Sequence, residues 1–204
     1  MTTAVALDWN TWRSAYDEMT PTEQRAFYDE VHRLHPEQAR FSERELGRLL
    51  AHIGQPVSVV ELGGWDGGFA DAMLPGSSIR SWESWEVSGA ACIGGNVCHD
   101  LRYVAVCPAN WYWSTAHRCD LFVSSHTIEH LRFRDVLATF DATDCEWMYL
   151  QSPLREGPTE WANYHGSHIL EVGWGEITHE LDARGFDELE SLRAPNVRSF
   201  QRRA

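Results

Sequence analysis

A glycine-rich segment lies directly after a short apolar run and could bring the backbone close to a ligand. The run, Val57–Leu62, has the β-branched residues that are typical of a buried parallel strand. The glycines that follow it are Gly63, Gly64, Gly67 and Gly68. Because glycine has no side chain, such a segment can turn tightly and approach a bound group. Glu61, near the end of the run, could accept hydrogen bonds from the turn or from a ligand amine.

A second acid could bind the ribose of a nucleotide. The stretch Ile79–Val87 is predicted to be a strand, and Glu86 lies at its end. A carboxylate at this position can accept hydrogen bonds from both ribose hydroxyls. Glu86 is the preferred residue, and Glu83 is the alternative because sequence patterns define a strand end only to within a few residues. A solvated acid at the end of a strand is the competing explanation.

Three histidines lie where acid–base chemistry could occur. His126 follows the predicted strand Asp120–Ser125, while His165 and His168 lie in the unpatterned stretch Leu154–Gly173. Imidazole titrates near neutral pH, so each could take the proton from a hydroxyl group of a substrate. His126 is the first choice as this base, followed by His165 or His168. A substrate amine that is already neutral would need no base, and the histidines would then only position it.

Two residue patterns could bind zinc, and we interpret neither as a metal site. Residues 126–130 read His-Thr-Ile-Glu-His, in which two histidines four positions apart on one helix could be ligands. The pattern begins at a strand end, so Glu129 and His130 are interpreted as residues of a helix start. The second set of possible ligands lacks Cys-x-x-Cys pairs, so its cysteines are interpreted as free thiols; the set is Cys92, Cys98, His99, Cys107 and Cys119. We therefore predict that no metal is bound.

A sheet covered by helices is needed to position these residues. Strands are predicted over residues 57–62, 79–87, 103–107, 120–125 and 146–151, with weaker ones over 186–192 and 197–201. Helices are predicted to begin at residue 67, to follow residue 125 as far as about residue 140, and to span 174–184. This alternation is typical of an open, mostly parallel α/β sheet with right-handed crossovers. Ligands of such sheets bind beyond the carboxyl ends of the strands.

An N-terminal helical extension over residues 1–55 is predicted to precede the α/β domain over 56–204. Thr20–Glu23 has the capping-box pattern with proline at the first helical position, and Ser42–Glu45 repeats the pattern before a second helix. The extension could form a lid over the ligand or pack on the sheet as a support. The residues that would supply the contact surface of a lid are Trp9, Trp12, Tyr16 and Phe27.

Three parts of this sequence resemble the class I S-adenosylmethionine-dependent methyltransferases. Glu61, Gly63 and Gly67 resemble motif I of that family, which has an acid followed by glycines two, four and six positions later; Trp65 replaces the middle glycine. The second part is residues 120–131, which resemble the strand, loop and Glu-His-Leu helix start of the family. A fifth strand with a proline exit follows at residues 148–153, so the resemblance spans roughly residues 57–153.

This resemblance implies a fold, a cofactor and an activity. The implied fold is the Rossmann-like class I methyltransferase sheet, mostly parallel with seven strands, and the implied cofactor is S-adenosylmethionine. The implied reaction is methyl transfer to the oxygen or nitrogen of a small-molecule acceptor. The alternatives are a catalytically inactive methyltransferase-fold protein that acts as a binding module, and a nucleotide-dependent oxidoreductase. The glycines do not fit the G-x-G-x-x-G pattern of the oxidoreductases.

The resemblance also assigns roles to single residues. The glycine turn would shape the pocket for the methionyl group, and the Trp65 ring could attract the sulfonium cation by about 0.5–2 kcal/mol. Glu86 would bind the ribose, Val87 would pack on the adenine, and Ser125 and His126 would face the acceptor. The full set implied to bind the cofactor is Glu61, Gly63, Gly64, Trp65, Gly67, Glu86, Val87, Cys107, Pro108 and Ser125.

Composition excludes several other activities. All 17 basic residues are arginine, which rules out a Walker P-loop, a pyridoxal Schiff base and the strand lysine of kinases. The net charge of −13 disfavours a broad nucleic-acid-binding face. No apolar run approaches the roughly 18 residues that span a bilayer. Five cysteines without Cys-x-x-Cys pairs and the lack of a signal peptide predict a cytoplasmic protein with free thiols.

Overall fold

The computed structural model describes residues 14–34, 42–75, 78–93, 102–105, 117–154 and 168–204. Seven strands form the main sheet, and a separate pair of two-residue strands joins His117–Arg118 to Thr143–Asp144. The strands of the main sheet are β1 (Val57–Leu62), β2 (Ile79–Glu86), β3 (Arg102–Ala105), β4 (Leu121–Ser125), β5 (Trp147–Gln151), β6 (Phe186–Glu188) and β7 (Val197–Arg202).

The strand order is β3-β2-β1-β4-β5-β7-β6. All neighbours from β3 to β5 are parallel, whereas β7 runs antiparallel to both β5 and β6. The prediction of a mostly parallel, seven-stranded sheet is confirmed. At the end of β1, Leu62 pairs with Trp85 of β2 and with Ser124 of β4. The glycine turn therefore leaves the sheet between the carboxyl ends of β2 and β4.

Among the described residues, five α-helices have both ends defined: α1 (Pro21–Leu34), α2 (Glu43–Ile53), α3 (Gly68–Met73), α4 (Phe133–Ala142) and α5 (Trp174–Ala183). The expectation of one continuous helix after β4 was wrong, because a short 3₁₀ turn, Ile128–His130, is followed by extended backbone at Leu131 and Arg132. The predicted strand over residues 186–192 is also shorter, since a 3₁₀ turn occupies Glu190–Leu192.

The two predicted capping boxes have different outcomes. At α1 the box is present: Thr20 N–H donates to Glu23 Oε2 at 2.7 Å, and Glu23 N–H donates to Thr20 Oγ1 at 3.3 Å. At α2 the prediction was wrong, because the Ser42 side chain makes no capping hydrogen bond and Arg44 and Arg48 bind the Glu45 carboxylate instead. Ser42 N–H donates to Gln151 Oε1 at 2.9 Å, which joins the start of α2 to the end of β5.

Apolar side chains cover both faces of the sheet. Successive residues of a strand point to opposite faces, and Phe122 accordingly joins the cluster that contains α4 and α5, while Val123 joins the cluster that contains α2 and α3. The central strands are thus buried on both sides, as expected for parallel strands. Among the helices of the described ranges, none has the length and apolar character needed to cross a membrane.

Candidate functional site

The glycine turn after β1 is fixed by close packing. Gly63 has φ +77°, and a Cβ atom there would lie 2.0 Å from Thr127 Oγ1 in the loop after β4. A Cβ atom at Gly64 would lie 2.5 Å from Ser84 Oγ of β2. Gly67 also has a positive φ, of 87°, and caps α3. Gly63 and Gly64 are required because the turn is packed against the loop after β4 and against β2, whereas Gly67 is favoured by its positive φ.

Trp65 occupies a backbone conformation that normally favours glycine. Its φ is +50°, which costs an L-residue about 1–2 kcal/mol. Its N–H donates to Glu86 Oε2 at 2.8 Å, and its ring lies 5.1 Å from the ring of His32 in α1. The backbone therefore keeps the left-handed conformation at this position, while the tryptophan ring supplies a contact to α1.

Glu61 lies beneath the glycine turn and is completely buried. Its Oε2 accepts hydrogen bonds from Trp82 Nε1 at 2.9 Å and from Ser84 Oγ at 2.7 Å. Within the described ranges no hydrogen-bond donor reaches its Oε1. Burial raises the pKa of Glu61 to about 7, against the lowering effect of Ser84 and Trp82. In this structure the carboxyl group supports the turn from the side of the sheet.

The raised pKa of Glu61 makes the stability of the protein depend on pH. The folded state binds this proton more tightly than the unfolded state, so the contribution is full below about pH 4.5 and is lost as pH rises to about 7. At about 1.4 kcal/mol per pKa unit, this loss is about 3 kcal/mol. We expect Glu61→Gln, which keeps an acceptor for Trp82 and Ser84, to lose less stability over this range.

Urea unfolding of the wild type and Glu61→Gln across this pH range measures the difference. Taking the difference cancels the other titrating groups that the two proteins share. Parallel stability profiles would show that Glu61 does not titrate in this window.

Glu86 lies at the end of β2 and is almost completely buried. Its Oε2 accepts the Trp65 N–H, and its Oε1 accepts the Ser88 N–H at 2.9 Å. Burial raises the pKa of Glu86, whereas backbone hydrogen bonds lower it. The alternative acid, Glu83, accepts instead from Trp85 Nε1 on its own strand. Of the two acids, Glu86 is therefore the one joined to the glycine turn.

His126 follows β4 and has a positive φ of 54°. Gln151 Oε1 accepts from Ser42 N–H and from the Tyr149 hydroxyl, so the Gln151 amide nitrogen faces His126 Nε2, at 3.0 Å. That amide must donate, which leaves the imidazole proton on Nδ1, 3.3 Å from Glu129 Oε1. Both ring nitrogens of His126 are therefore engaged, and a role as base requires one of these contacts to be exchanged.

His168 lies next to the turn that contains Glu129 and His130. The Glu129 carbonyl accepts the N–H groups of Ile169 and Leu170 at 2.9 and 3.2 Å, which joins the two segments. The rings of His130 and His168 lie 5.0 Å apart, and one ligand atom from each of Glu129, His130 and His168 lies within 4.8 Å of the other two. His168 was predicted as a separate candidate, because nothing in the sequence indicates that it lies next to Glu129.

Helix α1 lies over the carboxyl edge of the sheet. Asp29 Oδ1 accepts from Ser88 Oγ at 2.8 Å and from Ala90 N–H at 3.1 Å, directly after β2. Burial raises the pKa of the Tyr28 hydroxyl, as do the negative charges of Glu86 and then Glu129. The Tyr28 hydroxyl therefore interacts electrostatically with both carboxylates. These residues were missed by sequence analysis, since a helix shows its amphipathic pattern but not which site it covers.

Many solved methyltransferase structures superpose on this chain. The N-methyltransferase NodS from Bradyrhizobium japonicum WM9 does so with a TM-score of 0.58 at 15% identity, over 79% of this chain and 97% of NodS. Magnesium protoporphyrin IX methyltransferase (ChlM) from Synechocystis PCC 6803, solved with bound S-adenosylmethionine, has a TM-score of 0.58 at 12% identity, over 98% of this chain and all of ChlM. The chain has the class I methyltransferase fold.

The small RNA methyltransferase HEN1 also matches, with a TM-score of 0.59 at 12% identity, over 82% of this chain but 27% of HEN1. No protein-family model and no curated protein matches the sequence. The similarity therefore lies in the class I methyltransferase fold, and it does not favour the oxidoreductase alternative.

The methyltransferase fold brings most of the sequence-predicted site residues to one edge of the sheet. The Trp65 N–H donates a hydrogen bond to the Glu86 carboxylate, and Val87 is buried directly after β2. Thr127 joins the glycine turn to the loop of Ser125 and His126. Residues that lie outside the described ranges are Trp9, Trp12, Cys98, His99, Cys107, Pro108 and His165.

Proposed function

We propose that this protein transfers the methyl group of S-adenosylmethionine to an oxygen or nitrogen of a small-molecule acceptor. The observation that carries the proposal is the bond between Glu86 and the glycine turn, at the carboxyl edge of a class I methyltransferase sheet. Glu86 would bind the ribose, and Gly63 and Gly67 would let the backbone approach the methionyl group. The bound S-adenosylmethionine of ChlM, which has the same fold, supports this choice of cofactor.

The chain's own contribution is to orient the acceptor and to exclude water. Methyl transfer is an in-line displacement, so its rate depends on alignment of the acceptor with the methyl carbon. Ser125 and His126 lie at the end of β4 and are proposed to face the acceptor. The net charge of −13 supports a small or cationic acceptor over a nucleic acid. RNA, the acceptor of the small RNA methyltransferase HEN1, is the alternative to be tested.

Titration of the purified protein with S-adenosylmethionine and S-adenosylhomocysteine tests the proposal. We expect both to bind with micromolar affinity, and we expect S-adenosylhomocysteine to form when the correct acceptor is added. Well-folded protein that binds neither ligand would overturn the proposed function. Binding without turnover on any small molecule or RNA would indicate the non-catalytic alternative.

We further propose that α1 covers the bound cofactor. Asp29 holds this helix to the end of β2, and a hydrogen bond to a charged group contributes about 1.5–3 kcal/mol. We expect Asp29→Ala to release S-adenosylmethionine at least about tenfold faster in stopped-flow displacement. Glu30→Ala is the matched control, because Glu30 pairs only with Arg33 at the exposed surface among the contacts described for it. Equal dissociation rates for the two variants would contradict the proposal.

A further inference from the structure

We propose that Glu129, His130 and His168 bind a divalent transition-metal ion beside the acceptor. The donor set is one carboxylate and two imidazoles, with ligand atoms within 4.8 Å of one another. Metal–ligand distances near 2.0–2.1 Å place tetrahedral ligand atoms about 3.3 Å apart. Side-chain rotations that bring the three ligand atoms from within 4.8 Å to about this separation suffice to close the site. The site includes part of the sequence pattern that was first interpreted as a plain helix start.

The backbone of this cluster is already held in place. The Glu129 carbonyl binds the two N–H groups that directly follow His168 in the chain. The Glu129 carboxylate is itself oriented, since its Oε2 accepts from Ser152 Oγ at 2.9 Å. Metal sites commonly orient their ligands through such outer contacts. Only side-chain torsions remain to be adjusted when an ion enters.

The charge of Glu129 also favours a bound cation. This carboxylate is 1% exposed, and the His126 Nδ1 atom next to its Oε1 is 3.3 Å away. A charge-assisted hydrogen bond is normally about 2.7–2.9 Å long, so this contact compensates the buried charge weakly. Buried carboxylates are usually either paired or bound to a metal. A cation between Glu129 and the two histidines would add to the compensation that Ser152 and His126 already supply.

The donor set indicates the class of metal and leaves room for a substrate. Imidazole ligands suit zinc, copper, iron or nickel, whereas magnesium prefers an all-oxygen set. Three protein ligands leave at least one open coordination position, as in catalytic rather than structural zinc sites. We infer that a hydroxyl oxygen of the acceptor occupies this position, which makes the acceptor an alcohol or phenol.

The metal would prepare that hydroxyl for methyl transfer, a role that rests on the proposed function. Coordination lowers the pKa of a bound hydroxyl, which then gives its proton to solvent. The oxygen–methyl bond forms while the sulfur–methyl bond breaks, and the sulfur leaves as the neutral thioether. No oxidant or reductant is needed.

The test is direct metal titration of the full chain after treatment with a chelator. Zn²⁺ is followed by calorimetry and Co²⁺ by its visible absorption, each expected at one equivalent. Loss of a contact outside the ligand set already weakens metal sites about 10–100-fold, so we expect Glu129→Gln, His130→Ala and His168→Ala to weaken binding at least about 100-fold. His179→Ala, which removes an exposed histidine of α5, is the matched control and should bind normally.

Unchanged affinity in the three variants, or equal loss in His179→Ala, would overturn the metal site. Far-ultraviolet circular dichroism and cofactor titration of Glu129→Gln, which keeps the shape of the side chain, separate metal loss from unfolding. Glu86→Ala distinguishes the two proposals, since it should lose S-adenosylmethionine and keep Zn²⁺. A wild-type protein that binds Zn²⁺ at this site but no S-adenosylmethionine would support the site and overturn the proposed function.

Discussion

Glu86→Gln should weaken the binding of S-adenosylmethionine at least about 100-fold. The carboxylate already accepts the N–H groups of Trp65 and Ser88, and its remaining lone pairs would accept the two ribose hydroxyls. A hydrogen bond to a charged group contributes about 1.5–3 kcal/mol, so the loss of two of them costs about 3–6 kcal/mol, which is more than the roughly 2.7 kcal/mol that corresponds to 100-fold. Calorimetric titration with S-adenosylmethionine and S-adenosylhomocysteine measures both affinities.

Glu83→Gln provides the matched control for this prediction. Glu83 lies on the same strand, but it accepts from Trp85 Nε1 and has no contact with the glycine turn among those described. We expect its cofactor affinity to change less than about twofold, as is usual for substitutions away from a site. The reverse result, loss of affinity with Glu83→Gln alone, would make Glu83 the ribose-binding acid.

Gly63→Ala should lower the free energy of unfolding by about 3 kcal/mol and abolish cofactor binding. The new Cβ atom would lie 2.0 Å from Thr127 Oγ1 and 2.7 Å from Thr127 Cγ2, and φ is +77°. Overpacking costs about 1–3 kcal/mol and the left-handed backbone a further 1–2 kcal/mol. The turn and the loop after β4 must separate, and that movement displaces residues on both sides of the proposed cofactor site. Urea unfolding and cofactor titration measure the two effects.

Two further variants test whether the clash is the cause. Gly47→Ala lies in α2 with no atom within 4 Å of its added Cβ, and it should stabilise the protein by about 0.5–1 kcal/mol. Adding Thr127→Ala to Gly63→Ala removes Oγ1 and Cγ2 but leaves Cβ at 2.9 Å. The double variant should therefore recover part of the lost stability, a non-additive result. Simple addition of the two single effects would rule out the clash.

Local sequence patterns were sufficient to predict the sheet and the glycine turn. The run Val57–Leu62 is rich in β-branched apolar residues, and in the structure it is the interior strand β1, between β2 and β4. The predicted strand Ile79–Val87 placed Glu86 near its end, and in the structure β2 ends at Glu86. Strands and tight turns depend on residues that are neighbours in the chain, so they can be predicted from a single sequence.

Contacts between distant segments could not be predicted in the same way. Ser42 has the correct pattern for a cap, but its N–H is held by Gln151 and Glu45 is held by two arginines. Likewise, Asp29 reaches the residues after β2, and His168 reaches Glu129, only because the chain folds back. Tertiary contacts outweigh local preference at these positions. Such contacts cannot be predicted from the local pattern of a single sequence.

The position of β7 between β5 and β6 also constrains the order in which the sheet is assembled. Strand β6 comes earlier in the chain, yet within the sheet it is bonded only to β7. It can therefore join the parallel strands only through β7, once Val197–Arg202 has been synthesised. On the ribosome, the parallel strands can form a partial sheet while β5 still has a free edge. Closure of that edge waits until the hairpin of β6 and β7 docks on β5.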